Sequence, residues 1–219
     1  MEKIWLKNYQ PTVPATIEDQ MEKYNSIADV LEESFRNYPH HPAFHCMGKT
    51  LTYAQIDTLS RKFASYLQNN LGLSKGDRVA LMMPNILQYP IALFGVLRAG
   101  MVVVNVNPLY TPRELEHQLK DSGAKAIVIF ENAAHTLEKV LKQTEVKHVL
   151  TTSIGDMLGL PKSLIVNFVI KQVKKMVPDY SLPSAKSFVI ELKSGDASKY
   201  VKPTMTKEDI AFLQYTGGT

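Results

Sequence analysis

The last residues of the sequence are of types that bind phosphate groups. Residues 216–219 read Thr-Gly-Gly-Thr and directly follow an apolar segment, residues 210–215, that has the composition of a buried strand. Glycine permits positive φ angles and a close approach of backbone N–H groups to an anion, and threonine hydroxyls add further donors. A strand that runs into such a turn predicts a phosphate site, although an unstructured terminus after the last strand is the alternative. The sequence contains no complete Walker pattern.

Two stretches of the sequence resemble the acyl-adenylate-forming enzymes. Residues 215–219, Tyr-Thr-Gly-Gly-Thr, resemble the first part of that superfamily's phosphate loop, which reads Tyr-Thr-Ser/Gly-Gly-Thr-Thr-Gly-x-x-Lys-Gly. The second stretch comprises residues 78–85, Arg-Val-Ala-Leu-Met-Met-Pro-Asn, and residues 97–115, Leu-Arg-Ala-Gly-Met-Val-Val-Val-Asn-Val-Asn-Pro-Leu-Tyr-Thr-Pro-Arg-Glu-Leu. The chain most resembles the bacterial long-chain fatty-acid–CoA ligases, and the likeness runs from Trp5 to Thr219.

The resemblance implies a two-step reaction that uses ATP, Mg²⁺ and coenzyme A. A long-chain fatty acid carboxylate attacks the α-phosphate of ATP to give an acyl-adenylate and pyrophosphate, and the thiolate of coenzyme A then displaces AMP. By position, the phosphate-binding residues would be Thr216, Gly217, Gly218 and Thr219, with Tyr215 leading into them.

Several parts of the family's active site do not occur in this sequence. They are the second threonine, the next glycine and the lysine of the loop, the adenine pocket, the acidic metal-holding residue and the carboxy-terminal domain with its catalytic lysine. We therefore expect residues 1–219 to be the amino-terminal portion of an AMP-binding domain, without catalytic residues and inactive alone. The alternatives are a ligase for another carboxylic acid, or a non-catalytic module that acts as a scaffold or touches a membrane.

Composition narrows the functional classes. The net charge of +4 is mild and gives no support for nucleic-acid binding. The single cysteine, Cys46, excludes an internal disulfide and fits a reducing compartment. The first residues lack an apolar secretory segment, which predicts a cytoplasmic protein. The six histidines show no spacing that predicts a metal site.

The first third of the chain, residues 1–77, predicts entry helices and a hairpin. Ser26 is placed to cap a helix with an apolar face at Ile27, Val30, Leu31 and Phe35. Residues 43–47 and 50–53 predict a hairpin around Gly48 and Lys49. Residues 52 and 55, Thr and Gln, form a capping-box pattern for the next helix.

Residues 78–151 alternate between strand and helix patterns. Strands are predicted at residues 79–83, 101–106, 126–130 and 147–151, and helices at residues 84–97, 112–121 and 132–143. Thr111, Pro112 and Glu114 supply the N-cap, the N1 proline and the N3 glutamate of the helix over residues 112–121. This order implies right-handed crossovers and a layered α/β domain with a largely parallel sheet flanked by helices. A dinucleotide-binding domain is disfavoured, because no Gly-x-Gly-x-x-Gly follows a predicted strand.

Residues 152–205 interrupt the alternation with a basic amphipathic segment. A helix over residues 162–177, about 24 Å long, would place seven apolar residues on one face; these are Ile165, Val166, Val169, Ile170, Val173, Met176 and Val177. Lys171, Lys174 and Lys175 lie on the opposite face together with Asn167, and Leu164 and Phe168 intrude on that polar side. These lysines predict contact with an anionic membrane surface, with the inner face of the cell membrane as the expected location. The alternative is a helix that packs its apolar face on the sheet.

Residues 206–219 predict a final strand that leads into the phosphate loop. Thr206 and Asp209 resemble a helix cap just before that strand. The strand over residues 210–215 would leave an unpaired sheet edge, so self-association as a homodimer is also expected.

Overall fold

The computed structural model describes residues 2–216, with the side chains of residues 19 and 20 left undescribed. Its strands are β1 (Pro42–Cys46), β2 (Lys49–Thr52), β3 (Arg78–Met82), β4 (Val102–Asn105), β5 (Ala126–Phe130), β6 (His148–Thr152), β7 (Lys186–Ser187) and β8 (Phe212–Gln214). Its helices are α1 (Glu18–Met21), α2 (Ile27–Asn37), α3 (Tyr53–Ser65), α4 (Gln88–Arg98), α5 (Pro112–Ser122), α6 (Ala134–Val140), α7 (Lys162–Phe168) and α8 (Phe188–Ser194).

Six strands form one sheet in the order β7-β6-β5-β3-β4-β8. Every neighbouring pair in this sheet is parallel, which confirms the predicted α/β class. β1 and β2 form a separate antiparallel hairpin, also as predicted. The central strands are buried on both faces, because the crossover helices of a parallel sheet lie on both sides of it.

Helices on the two faces of the sheet enclose two apolar cores. On one face α3, α4 and α8 contribute Phe63, Ile91 and Phe188. On the other face α5 and α6 contribute Leu119 and Leu137. The alternation of strand side chains therefore sends successive residues of each strand into different cores.

The helix starts follow the predicted caps. The side chains of Ser26, Thr52 and Thr111 each accept a hydrogen bond from the backbone N–H three residues ahead, and each completes a capping box. Pro112 occupies the first turn of α5, and Gly123 ends that helix with φ of 60°. These contacts are local in sequence and remove unsatisfied N–H groups from the helix ends.

Several boundaries differ from the sequence predictions. α4 begins at Gln88 rather than at Pro84, so Pro90 lies in the first turn, where its missing N–H breaks no helical hydrogen bond. Ile27 and Val30 are exposed rather than core residues of α2. Thr206 and Asp209 close a turn, with the Thr206 N–H 2.7 Å from the carboxylate, and no helix follows them up to residue 216.

The predicted strand over residues 210–215 is shorter and less buried than expected. β8 spans Phe212–Gln214 and pairs only with β4, at the edge of the described sheet. Ile210 is exposed, and Phe212 and Leu213 are half-buried. An edge strand has a neighbour on one side only, which leaves its side chains partly uncovered.

β7 and α8 were not predicted, although they lie within residues 152–205. The ring of Phe188 in α8 packs edge-on against Phe63 of α3, with centroids 5.1 Å apart. At the end of α8, a Cβ added to Gly195 would collide with the backbone carbonyl oxygen of Lys62. The close approach of α8 to α3 thus depends on glycine at this position.

The basic segment differs most from its prediction. Helix continues from Lys162 only to Val173, about 18 Å at 1.5 Å per residue. None of its residues is buried, and its most exposed apolar side chains include Leu164 and Phe168, which were assigned to the polar side. Asn167, also assigned to solvent, instead bonds the Gly155 N–H at 2.8 Å and faces the body of the protein.

A buried arginine joins α4 to the helices beside it. Arg98 donates to the Asp57 carboxylate and, at 2.8 Å, to the Ser60 hydroxyl, and its side chain has no exposed area. Its guanidinium also lies 4.8 Å from the centre of the Phe35 ring. The Tyr200 hydroxyl donates to the Arg98 carbonyl at 3.0 Å, so the segment after α8 is also hydrogen-bonded to the end of α4.

Within the described part of the chain, every helix is too short or too polar to cross a membrane.

Candidate functional site

A groove of about 470 Å³ opens at the carboxyl ends of β3, β4 and β8. Its walls are Leu81, Met83, Asn85, Tyr89, Asn105, Val106, Asn107, Pro108, Tyr110, Gln214 and Tyr215. β4 and β5 lie on opposite sides of β3, so the strand order reverses at this point of the sheet. Open parallel sheets bind ligands in the crevice at such a reversal, beyond the carboxyl ends of the strands.

The strand register brings the polar residues of the groove together. Asn105, the last residue of β4, lies level with Leu81 of β3 and with Gln214 of β8. The loop after β3 supplies Asn85, and the loop after β4 supplies Asn107. Parallel strands end at the same edge, so residues far apart in sequence meet here.

The predicted phosphate-binding residues begin at this groove. Tyr215 lines it, and Thr216 follows as an exposed residue. Gly217, Gly218 and Thr219 lie outside the described residues. The structure thus brings the entry of the predicted loop into the groove at the carboxyl ends of the strands.

Tyr215 is fastened to α5. Its hydroxyl donates to the Asp121 carboxylate at 2.5 Å. Burial, followed by this hydrogen bond and the nearby negative charge, raises the pKa of Tyr215 to about 12. The hydroxyl therefore stays protonated at neutral pH and remains a donor.

Three side chains form a hydrogen-bonded row across the groove. The Tyr89 hydroxyl donates to Asn105 Oδ1 at 2.9 Å, and Asn105 Nδ2 donates to Gln214 Oε1 at 2.9 Å. The buried Gln118 donates to the backbone carbonyl of Asn105 at 2.7 Å. Burial raises the pKa of Tyr89, which keeps its hydroxyl neutral.

The groove is polar but carries no formal charge on the residues that line it within the described chain. Amide and tyrosine hydroxyl groups supply its polar atoms. Such groups can hydrogen-bond an anionic ligand and do not repel it. The lining contains no nucleophile paired with a base, so the groove is suited to binding and orientation.

The predicted membrane residues lie elsewhere. Lys171, Lys174 and Lys175 are all exposed, on or just beyond the helix that starts with α7. Lys171 lines a separate pocket of about 280 Å³ with Phe168 and Glu131. Lys174 follows the helix end, and Lys175 adopts a positive φ of 49°.

Sequence reasoning missed Tyr89, Asn105 and Asp121 as parts of the site. Asn105 and Asn107 could have been noticed, because Asn105 ends a strongly β-branched strand, Asn107 follows it, and polar residues at strand ends commonly form sites. Tyr89 and Asp121 carry no such signal, since each lies within a helix. Among residues 2–216, no group of three or more histidine, cysteine or acidic side chains is arranged to hold a metal ion.

Comparison with proteins of known sequence gives close relatives. The chain is 58% identical over all its 219 residues to a long-chain-fatty-acid–CoA ligase of Escherichia coli O6:H1, and covers 39% of that protein. It is 59% identical to the long-chain-fatty-acid–CoA ligase of Yersinia pestis, again over 39% of that protein. The Bacillus subtilis ligase of the same description is 36% identical, with 38% of its length covered. The chain thus spans about two fifths of the length of these curated relatives.

Solved structures share the fold. An anthranilate CoA ligase in complex with anthranoyl-AMP superposes with a TM-score of 0.73 at 17% identity, over 91% of this chain and 34% of the ligase. A long-chain-fatty-acid-CoA ligase from Archaeoglobus fulgidus gives a TM-score of 0.62 at 23% identity, over 89% of this chain and 35% of the ligase. At these identities the match supports the fold alone.

The family described as AMP-binding enzyme matches residues 31–219, which include the whole six-stranded sheet and the groove at its edge. The chain therefore belongs to the AMP-binding enzyme family.

Proposed function

We propose that this chain forms the amino-terminal part of an ATP-dependent long-chain fatty-acid–CoA ligase. The observation that carries the proposal is the identity of 56–59% with six bacterial ligases of that description, which extends over the whole chain. The position of Tyr215 in the groove at the carboxyl ends of β3, β4 and β8 supports it, since open parallel sheets bind ligands beyond the carboxyl ends of their strands.

The proposed reaction has two balanced steps. A carboxylate oxygen of the fatty acid bonds to the α-phosphorus of ATP as the bond to pyrophosphate breaks. The thiolate of coenzyme A then attacks the acyl carbon, and AMP leaves with the electrons of the acyl–oxygen bond. The products are acyl-CoA, AMP and pyrophosphate.

This chain's part in the reaction is to bind and orient the nucleotide. Backbone N–H groups and the hydroxyls of the proposed loop would hold phosphate oxygens without offering a competing nucleophile. Mg²⁺ would neutralise charge on the triphosphate when bound. Among the described residues no group of three or more histidine, cysteine or acidic side chains is arranged to hold the ion, and we expect its protein ligands elsewhere in the longer enzyme.

The test compares the chain alone with a chimera. In the chimera, residues 1–219 replace the matching segment of the Escherichia coli O6:H1 ligase, to which they are 58% identical. We expect the chimera to make palmitoyl-CoA with ATP, and the 219-residue chain to catalyse no palmitate-dependent pyrophosphate exchange above the blank. A folded chimera without thioester formation would contradict the proposed function, and robust exchange by the chain alone would contradict its expected inactivity.

The acid substrate is a separate choice. A ligase for another carboxylic acid remains the second candidate, and the solved anthranilate ligase shows that the fold accommodates a different acid. Competition between palmitate, octanoate and anthranilate in the chimera decides between these substrates, provided that the native Escherichia coli enzyme is assayed beside it.

We also propose that the helix starting with α7 lies against an anionic membrane surface. Leu164, Ile165 and Phe168 are 65%, 59% and 62% exposed, although they are large and apolar. Lys171, Lys174 and Lys175 are also exposed and follow these apolar residues along the same segment. Exposed apolar side chains beside lysines are the features of helices that lie in a membrane interface.

The edge position of β8 supports a further expectation, self-association as a homodimer. Sedimentation of the chain at several concentrations tests it.

A further inference from the structure

We propose that Tyr89 and Asn105 are positioning residues that act through Gln214 on the phosphate loop, a role that rests on the nucleotide-binding function proposed above. Gln214 is the last residue of β8, and the loop starts at Thr216. At the 3.3 Å rise of a parallel strand, the two residues are only about 7 Å apart along the chain. A change in the backbone direction at Gln214 therefore changes the position of Thr216, the first residue of the proposed loop.

The end of β8 is held on both faces of the sheet. Successive side chains of a strand point to opposite faces, so Gln214 and Tyr215 are held by different helices. Gln214 is linked through Asn105 to Tyr89 of α4, and Tyr215 is linked to Asp121 of α5. α4 and α5 belong to the two separate apolar cores. The hydrogen bonds to Gln214 and to Tyr215 are therefore each anchored in a different packed core.

β8 depends on these side-chain hydrogen bonds more than the longer strands of the sheet do. It is one of the two edge strands of the described sheet and spans only Phe212–Gln214. It pairs with β4 alone, through the register Val103 to Phe212, Val104 to Leu213 and Asn105 to Gln214. Side-chain hydrogen bonds at its carboxyl end add restraint where a short edge strand would otherwise fray.

The row also sets which polar atoms the groove offers. Asn105 Nδ2 donates to Gln214 Oε1, and the amide nitrogen of Gln214 donates to no described residue. A groove that presents N–H donors suits the oxygens of phosphate or carboxylate. Donors of this kind stabilise charge most when they are fixed before the ligand arrives.

The test uses the chimera described above and the substitution Tyr89→Phe, which removes one hydroxyl and keeps the ring. We expect the KM for ATP to rise about fivefold, the factor that corresponds to one net hydrogen bond. The KM for coenzyme A should stay unchanged within error. Tyr53→Phe is the matched control, because the Tyr53 hydroxyl bonds no described residue and lies away from the groove.

A double-mutant cycle separates positioning from general loss of packing. Gln214→Met removes the other end of the row at similar volume. If the row acts as a unit, the double variant Tyr89→Phe/Gln214→Met has the same KM for ATP as Gln214→Met alone. Additive effects of the two substitutions on the KM for ATP would overturn the proposal. So would a Tyr89→Phe chimera with the same KM for ATP as the Tyr53→Phe chimera. In either case, thioester formation by the unmodified chimera would still support the ligase function.

Amide hydrogen exchange on the 219-residue chain gives a readout that needs no activity. Loss of the Tyr89 hydroxyl should speed exchange in residues 211–216 and leave β5 and β6 unchanged. If the unmodified chimera makes no thioester, the proposed function fails, and the exchange data still decide whether the row holds β8. Equal exchange rates in Tyr89→Phe and Tyr53→Phe would refute the hold itself.

Discussion

The hydroxyl of Tyr215 lies 2.5 Å from a carboxylate oxygen of Asp121, which joins the end of β8 to α5. The two residues are 94 positions apart in sequence, so this contact exists only when the sheet has assembled with β8 beside β4. It fixes the last residue before the proposed phosphate-binding segment to the body of the protein.

We expect Tyr215→Phe to destabilise the 219-residue chain by about 1 kcal/mol at neutral pH, the usual net value of one hydrogen bond. The pKa of Tyr215 is raised from 10.0 to about 12 in the folded protein. As the pH rises from about 10 to 12, the unfolded chain loses this proton first, so the contribution of Tyr215 to stability declines over that range.

The measurement is urea unfolding of both proteins at pH 7, 9, 10 and 11. The difference in unfolding free energy should be constant up to pH 9 and shrink above pH 10. Tyr110→Phe is the control, because Tyr110 lines the same groove and its hydroxyl bonds no described residue. A Tyr215→Phe difference that grows with pH would contradict the assignment.

Arg98→Met should destabilise the chain by about 3 kcal/mol or more, because it leaves the Asp57 carboxylate and the Ser60 hydroxyl without their buried partner. Arg61→Met is a matched control. Arg61 pairs with the same Asp57 oxygen at 3.1 Å, but its side chain is 40% exposed. An exposed pair contributes about 1 kcal/mol or less. Chemical denaturation measures the free energy of unfolding of both variants. If both lose the same amount, the burial of Arg98 does not determine its contribution to stability.

Gly195→Ala should destabilise the chain by about 2 kcal/mol, in the range for overpacking. Gly195 has φ of −65° and ψ of 129°, which alanine adopts freely, so the cost comes from the collision with the Lys62 carbonyl. Lys193→Ala, an exposed change two residues away, should cost less than about 0.5 kcal/mol. If the Gly195→Ala variant and the unmodified chain have the same melting temperature, α8 does not pack on α3 as closely as the structure has it.

The features that the sequence predicted well are those that depend on contacts between residues close together in the chain. The caps at Ser26, Thr52 and Thr111 join residues three apart, and these pairs are visible in the sequence itself. The alternation of strand and helix predicted a parallel sheet for the same reason. The order of the strands was not predicted, because it depends on which side of β3 each crossover returns to.

The groove was not predicted, because it forms only between strands whose order in the sheet the sequence does not reveal. Its contacts join Tyr89 to Asn105, 16 residues apart, and Asn105 to Gln214, 109 residues apart. The phosphate segment itself was placed from composition and resemblance, and of its residues the structure describes only Tyr215 and Thr216.

The basic segment shows where periodicity alone misleads. Spacing at 100° per residue groups apolar side chains, but it does not say which side of the helix the protein covers. Asn167 faces the body because its amide bonds the Gly155 N–H and, at 2.8 Å, the Asp156 carboxylate. Leu164 and Phe168 are turned outward as a result.

These outward side chains lead to the last prediction, binding of the 219-residue chain to anionic vesicles. The triple variant Lys171→Glu/Lys174→Glu/Lys175→Glu should bind vesicles of phosphatidylglycerol about a hundredfold more weakly at low salt, since each lysine near such a surface contributes about 1 kcal/mol. Cosedimentation with the vesicles measures this. The control makes the same charge change at exposed lysines on another part of the surface, Lys139, Lys142 and Lys147.

Electrostatics and apolar insertion are separated by a second variant. Leu164→Ser/Phe168→Ser keeps every lysine and removes the most prominent apolar side chains of α7. If the helix inserts into the interface, this variant binds more weakly even where salt has screened the lysines, because the lost apolar area is insensitive to ionic strength. If instead both lysine variants bind alike and the serine variant matches the unmodified chain, the exposed patch has no affinity for membranes and the proposal fails.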